Sequence, residues 1–239
     1  MSELIKNSSH GNNIYILRLA DQALIRKITY DNNSYTYLYS DYHGCSWYQN
    51  AQNINLFSPN LVKFKSSLQL DLKLLRGKSV YHLSPINKTC MYVEKIIDHY
   101  LSIWKSSTKV PCHGDLTLAN ILFDKNNPTV IDWEHFDLEG ECWGFDISYL
   151  VLSALILPYL NNKKISHKEF FIFRNLWICL KELGVNKDLI NRPFTFFNHI
   201  FNTTKKWEKV ISESPSKLFT NLVNNDFVDY FESNLLKNI

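Results

Sequence analysis

Between residues 14 and 30 the chain reads IYILRLADQALIRKITY, two apolar, β-prone runs parted by Ala-Asp-Gln, a pattern that predicts an antiparallel hairpin. Residues 61 to 75, LVKFKSSLQLDLKLL, alternate apolar and polar positions, as two further strands would, until Arg76-Gly77 breaks the pattern. Between these stretches, residues 35 to 53 are aromatic and polar, with spacing compatible with a helix but no clear caps. After Gly77 the period changes. MYVEKIIDHYLSIWK (91–105) carries apolar residues at helical spacing, and ISYLVLSALILPYL (147–160) reads as a buried helix. KEFFIFRNLWICLKELG closes on Gly184 as a C-cap, and 194–211 and 216–238 read as amphipathic helices. The expected architecture is α+β and two-lobed. Residues 1–76 would form a small β-rich lobe, and residues 77–239 a larger, mostly helical one.

Composition narrows the classes. With 239 residues, 45% of them hydrophobic, the chain can bury a sizeable core, and 6 Trp, 13 Tyr and 15 Phe argue against disorder. The 26 basic and 23 acidic residues leave a net charge of only +3, so no nucleic-acid footprint is expected. The five cysteines form no CxxC pair, which argues against a zinc or redox motif and for reduced thiols. The longest uncharged apolar run, 147–160, falls short of the ~20 residues that cross a bilayer. MSELIKNSSHGNN has no apolar core of the secretory kind, so a cytoplasmic location is expected.

The chemistry concentrates in PCHGDLTLANILFDKNNPTVIDWEHF, residues 111 to 136, which holds His113, Asp115, Asn120 and Asp132. ILF and TVI, parted by the turn-forming run from Asp124 to Pro128, predict a hairpin that delivers Asp132 at its far end. Two carboxylates and an amide make an oxygen-only donor set. Such a set suits Mg²⁺, which bridges protein carboxylates to substrate phosphates, and not zinc. It also meets the needs of phosphoryl transfer: a carboxylate to accept the proton of an attacking hydroxyl, and an Asn and an Asp to hold the metal.

HGDLTLAN followed by IDWE, within residues 111 to 146, resembles the catalytic and metal loops of the aminoglycoside phosphotransferase and choline kinase superfamily. The resemblance implies a protein-kinase-like fold, ATP and Mg²⁺ as cofactors, and a small hydroxylated acceptor. Carried over position by position, Asp115 would be the catalytic base, His113 a support of its loop, and Asn120 and Asp132 the metal ligands. On the nucleotide side the family places a basic residue on its third strand, and ALIRKITY offers Arg26 and Lys27 side by side. Adjacent strand residues face opposite ways, so only one can meet the phosphates. Lys27 is the first choice and Arg26 stays open. The backbone around Lys73 to Leu75 would bind adenine, and SSHGNN could lie over the phosphates.

The family pairs its basic residue with a helix Glu, yet no Glu occurs between Glu3 and Glu94, which leaves Asp31, Asp41 and Gln49 as candidates. Glu134 is either metal-proximal or solvated, and Asp146 either a family position or a helix N-cap. Without DFG or APE, a protein acceptor is not indicated. Residues 150 to 239 hold twelve Lys or Arg against eight Asp or Glu, a poor match for a polycation, so a sugar-like hydroxyl is expected, as in surface-polysaccharide assembly. Two alternatives stand. One is a choline or aminoglycoside kinase, its cation received by Glu134, Asp137, Glu139 and Glu141; the other is a degenerate nucleotide-binding regulatory module.

Overall fold

The computed structural model describes residues 2–7, 14–79, 86–104, 109–156, 167–203 and 225–236. The chain divides into two compact units that are not contiguous in sequence. The first draws on Met1–Ser79, Pro111–Gly114 and Asn120–Gly140, the second on Val80–Val110, Asp115–Ala119 and Glu141–Ile239.

The first unit is built on a five-stranded antiparallel sheet in the order β1-β2-β3-β5-β4, from β1 (Ser2–Asn7), β2 (Ile14–Leu19), β3 (Leu24–Thr29), β4 (Asn60–Lys63) and β5 (Leu68–Lys73). The hairpin expected over 14–30 is β2 and β3, and the strands expected over 61–75 are β4 and β5. The SSHGNN loop lies outside the described residues. Register decides which side chains share a face: Ile16, Lys27 and Leu70 stand opposite one another, and so do Leu17, Arg26 and Asp71. With Leu68, Leu70 and Leu72 all buried, Lys27 is carried on the core face of the sheet.

Helix α1 (Tyr35–Ala51) packs against β4 and β5. Its entry is organised by Asp31, whose carboxylate accepts from the Asn33 amide at 3.0 Å and from the Ser34 hydroxyl at 2.9 Å. The helix buries Tyr37, Leu38, Asp41, Gly44, Cys45 and Tyr48. Those positions follow the helical period, but an aspartate and a glycine sit among them, and the sequence therefore shows no clean apolar stripe. A second sheet in the same unit joins β6 (Lys78–Ser79), β7 (Ile121–Asp124) and β8 (Asn127–Val130). Here the hairpin turn is tighter than expected. Lys125 takes a left-handed φ of 58°, and Asn127 and Pro128 already belong to β8.

The second unit is helical, with α2 (Ile86–Ile103), α3 (Phe145–Leu155), α4 (His167–Glu182), α5 (Lys187–Asn191), α6 (Pro193–Thr203) and α7 (Asn225–Tyr230), the last running into a π turn at Phe231–Leu235. Helices α2, α3 and α4 pack on one another. Phe173 stacks on Trp177 at 5.2 Å, and Phe231 meets both Phe173 and Phe194, a core of aromatic rings that fill volume with few rotatable bonds. The Gly184 C-cap is as expected, at φ 77° with its N–H donating to Lys181 O.

Asp146 is not the N-cap of α3. Gly144 occupies that position at φ 87°, and Asp146 sits buried inside the first turn, where a carboxylate complements the helix dipole. A Cβ on Gly144 would lie 2.5 and 2.6 Å from the Val185 methyls. Gly144→Ala is therefore expected to lose ~1–3 kcal/mol in urea unfolding. Adding Val185→Ala should recover the steric part and leave the cost of the left-handed backbone; complete recovery would mean that φ contributes nothing.

Candidate active site

Lys27 is the centre of a buried charge cluster in the first unit. Its Nζ lies 2.7 Å from Asp41 Oδ2, 2.5 Å from Asp132 Oδ1 and 3.0 Å from Glu134 Oε1. Strand β3 brings the lysine, α1 brings Asp41, and the loop after β8 brings Asp132 and Glu134. Three carboxylates face one ammonium. Lys27, Asp41 and Glu134 are buried, whereas the Asp132 side chain keeps 40% of its surface open. One oxygen from each of the three acids falls within 4.8 Å of the others.

The charge imbalance decides the protonation states. Burial would push the Lys27 ammonium to lose its proton, but the charges of Asp132, Asp41 and Glu134 win and raise its pKa well above the ordinary lysine value. Burial likewise pushes Asp132 up; the charge and hydrogen bond of Lys27, aided by His113 and His135, reverse this and hold it below the usual carboxylate range. Glu134 is left with the surplus. Burial, opposed by Lys27 and reinforced by Asp132 and Asp41, raises its pKa to about 7. One ammonium thus does not neutralise three acids, which is the condition a divalent cation relieves, and the donors are oxygens alone. The residues present fit Mg²⁺.

The backbone that carries Asp132 is held on both sides. The Ile131 amide donates to Asn120 O at 2.9 Å, and the Ile131 carbonyl lies 3.0 Å from His113 Nε2, which donates in that tautomer. The Trp133 amide donates to Asp41 Oδ1 at 3.0 Å. Between these anchors Asp132 adopts φ 65°, a region in which a non-glycine residue is uncommon and which is found disproportionately at functional sites. The Trp133 ring, fully buried, packs on Tyr48 at 5.1 Å and on His113 at 4.7 Å.

Lys27 and Asp132 meet directly, and His113 and Asn120 hold the peptide just before Asp132. Arg26 points the other way and forms a bidentate pair with Asp71 at 2.7 and 2.8 Å. Lys73 ends β5 with its amide donating to Phe57 O at 2.8 Å, and Leu75, half-buried, follows one residue after Leu74, whose amide donates to Ala23 O at 2.7 Å. Asp115 lies in the second unit, half-buried, where its charge helps burial to keep the Tyr149 hydroxyl protonated.

Among the three acid-position candidates, Asp31 organises the start of α1 and Gln49 accepts from the Phe57 amide at 3.2 Å, so Asp41 alone reaches Lys27. Glu134 is buried in the cluster and not solvated, and His135, which carried no signal in the sequence, is buried next to it in the chain and helps to hold the Asp132 pKa down. A helical position 14 residues after a strand lysine is the one signal that pointed to Asp41.

Residues 64–139 match the model of a phosphotransferase enzyme family. That segment holds His113, Asp115, Asn120 and Asp132 and begins after Lys27 and Asp41. Among solved structures, a thermostable mutant of aminoglycoside phosphotransferase APH(4)-Ia aligns with 100% of this chain and 94% of its own length at TM-score 0.52 and 10% identity. A putative aminoglycoside phosphotransferase from Ralstonia eutropha JMP134 aligns with 98% of this chain and 92% of its own at TM-score 0.51 and 12% identity. Such low identities speak to the fold, which is kinase-like and α+β. No curated protein matches the sequence. Over residues 64–139 the chain is thus similar to a phosphotransferase enzyme family, and its fold is the kinase-like one of these aminoglycoside phosphotransferase structures. Among the described residues, no helix is long and apolar enough to cross a membrane.

Proposed function

We propose that the protein transfers the γ-phosphate of ATP to a hydroxyl of a small molecule, with Mg²⁺ as cofactor. The observation that carries this reading is the Lys27 cluster: a strand lysine, a helix acid and a loop aspartate in a left-handed conformation meet within hydrogen-bonding distance. In the proposal, residues 1–76 serve the nucleotide and residues 77–239 catalysis and the acceptor. Lys27 meets the nucleotide phosphates, and the amides near Lys73 and Leu75 meet adenine. Asp132 and Asn120 hold the metal, with Glu134 as a further carboxylate within reach of the same position. Bound there, Mg²⁺ would neutralise phosphate charge as it is redistributed during transfer. Asp115 would accept the proton of the attacking hydroxyl, while His113, bonded to the Ile131 carbonyl, keeps the loop in place.

The regulatory-module alternative drew its support from the missing helix glutamate and the poor SSHGNN phosphate loop, which together weaken the match in the β-rich lobe. Asp41, 2.7 Å from Lys27, supports the kinase reading on the first of these points. For the acceptor, a sugar or sugar-like hydroxyl remains the proposal, as in surface-polysaccharide assembly, since the mildly basic composition of residues 150–239 does not suit a polycation. Of the acids expected to receive choline or an aminoglycoside under the alternative, Glu134 accepts from Lys27 at 3.0 Å and the Asp137 carboxylate accepts from the Glu139 amide at 3.0 Å.

Labelled ATP and Mg²⁺ supplied with panels of sugars, choline and aminoglycosides test both levels. Selective phosphorylation of a sugar is the expected result. Turnover of an aminoglycoside with sugars inert would overturn the acceptor assignment, and no transfer to any hydroxyl compound would count against the kinase reading itself.

A further inference from the structure

We infer that Asp41 is a positioning residue that anchors the backbone of the Asp132 loop, and that Gly44 sets the distance at which it does so. The inference rests on the reading of Asp132 as a metal ligand. The two oxygens of Asp41 are divided between tasks: Oδ2 faces Lys27 at 2.7 Å, while Oδ1 accepts from the Trp133 amide at 3.0 Å across 92 positions of sequence. The Cys45 thiol, 3.6 Å away, also donates to Oδ1, and the carboxylate is fully buried. Such a group has little freedom to leave its amide.

The anchor matters because of where it falls. Asp132 stands at φ 65° between the Ile131 peptide, bonded at its N–H by Asn120 and at its carbonyl by His113, and the Trp133 amide, bonded by Asp41. An unfavourable dihedral persists only when its surroundings over-determine it. Two of these three bonds come from the same stretch of sequence as Asp132. The third comes from α1, so the helix determines whether the ligand stays aimed.

Aspartate has a short reach, and α1 must therefore lie close. Gly44, one turn on from Asp41, makes that possible. A Cβ there would stand 2.5 Å from Trp133 Cβ, 2.8 Å from Trp133 Cγ and 2.9 Å from Phe136 Cβ. Glycine disfavours a helix interior, and this contact supplies the reason for its presence.

Three variants separate the anchor from the charge. Asp41→Asn keeps an oxygen acceptor and loses the charge, Gly44→Ala keeps the charge and pushes the helix away, and Asp41→Ala loses both. The readouts are hydrogen exchange of the Trp133 amide by NMR, and Mn²⁺ binding by EPR in the presence of a non-hydrolysable ATP analogue. Asp41→Ala and Gly44→Ala should speed Trp133 exchange and weaken Mn²⁺ by about 10- to 100-fold, with Trp133 exchange in Asp41→Asn within about threefold of wild type. If Asp41→Asn matches Asp41→Ala while Gly44→Ala behaves as wild type, Asp41 serves Lys27 alone and the inference falls. Should Asp41→Ala fail to fold, the contrast between the other two variants decides in the same way. A wild-type protein that binds no Mn²⁺ would instead sink the metal-ligand reading, whereas the exchange pattern judges the anchor by itself.

Discussion

Asp115→Ala is expected to lower phosphoryl transfer by roughly 10²–10⁴-fold, the range contributed by a positioned general base, while the protein stays folded. The carboxylate is half-buried and belongs to a loop, so its removal deletes no packed apolar volume. In the proposed reaction it orients the acceptor hydroxyl and takes its proton. Its loss should therefore appear in kcat, with the affinity for ATP little changed. Steady-state kinetics with the acceptor identified by the panel, together with a thermal melt, make the measurement. A folded variant that retains near wild-type kcat would remove Asp115 from the catalytic role.

Lys27→Met should produce the largest combined loss, in stability and in ATP use. Removing one partner from a buried ion cluster costs about 3–5 kcal/mol, because the charges left behind have neither water nor a counter-ion. Here Asp41 and Glu134 would stay buried beside Asp132. Proton uptake relieves part of the cost, and its sign is definite. Glu134 already has its folded-state pKa raised from 4.5 to about 7, so the folded protein gains stability as pH falls from above 7 towards the ordinary carboxylate value. Asp132 runs the opposite way. Its lowered pKa contributes stability above the ordinary carboxylate range that is lost only in strong acid, and Lys27 is the principal favourable cause. Without the ammonium both folded-state pKa values rise, and the deficit of the variant should be larger at pH 8 than at pH 6 in metal-free urea melts. Equal deficits at the two pH values would show that the acids are not coupled to Lys27. Arg26→Met is the control: its pair with Asp71 is partly solvated, so a loss of roughly 1 kcal/mol or less is expected, with ATP use nearly unchanged. Greater harm to ATP use from Arg26→Met would exchange the two roles.

Local pattern was sufficient for β2 to β5, β7 and β8 and for α2, α3 and α4, whereas β1, β6 and α5 were not expected and the helices expected over 194–211 and 216–238 lie in part outside the described residues. The β2–β3 and β7–β8 hairpins have turn residues between apolar runs, and α2 and α4 repeat apolar residues at the helical period, information contained within a few neighbours. Alternation alone also established that Arg26 and Lys27 must part company, since successive strand residues leave on opposite faces. It could not say which faced inward. That depended on which face of the sheet is covered, a matter settled by α1, whose own stripe is interrupted by Asp41 and Gly44 and so is weak in sequence.

The spacing of His113, Asp115, Asn120 and Asp132 is local, and it was enough for the expectation of a phosphotransferase. What only the tertiary structure decided is the company each residue keeps. Asp41 is one acid among several until a helix 14 residues after Lys27 is laid against a loop 92 residues further on; Glu134 is one acid in an acidic run until burial removes it from water. The left-handed backbone of Asp132 was not legible in the sequence: aspartate tolerates that region better than most residues, but here hydrogen bonds from three separate positions hold the flanking peptides. Short-range periodicity is written in neighbouring residues, but a buried charge cluster is a sum over long-range contacts, and its energies exist only once the chain has excluded water around them.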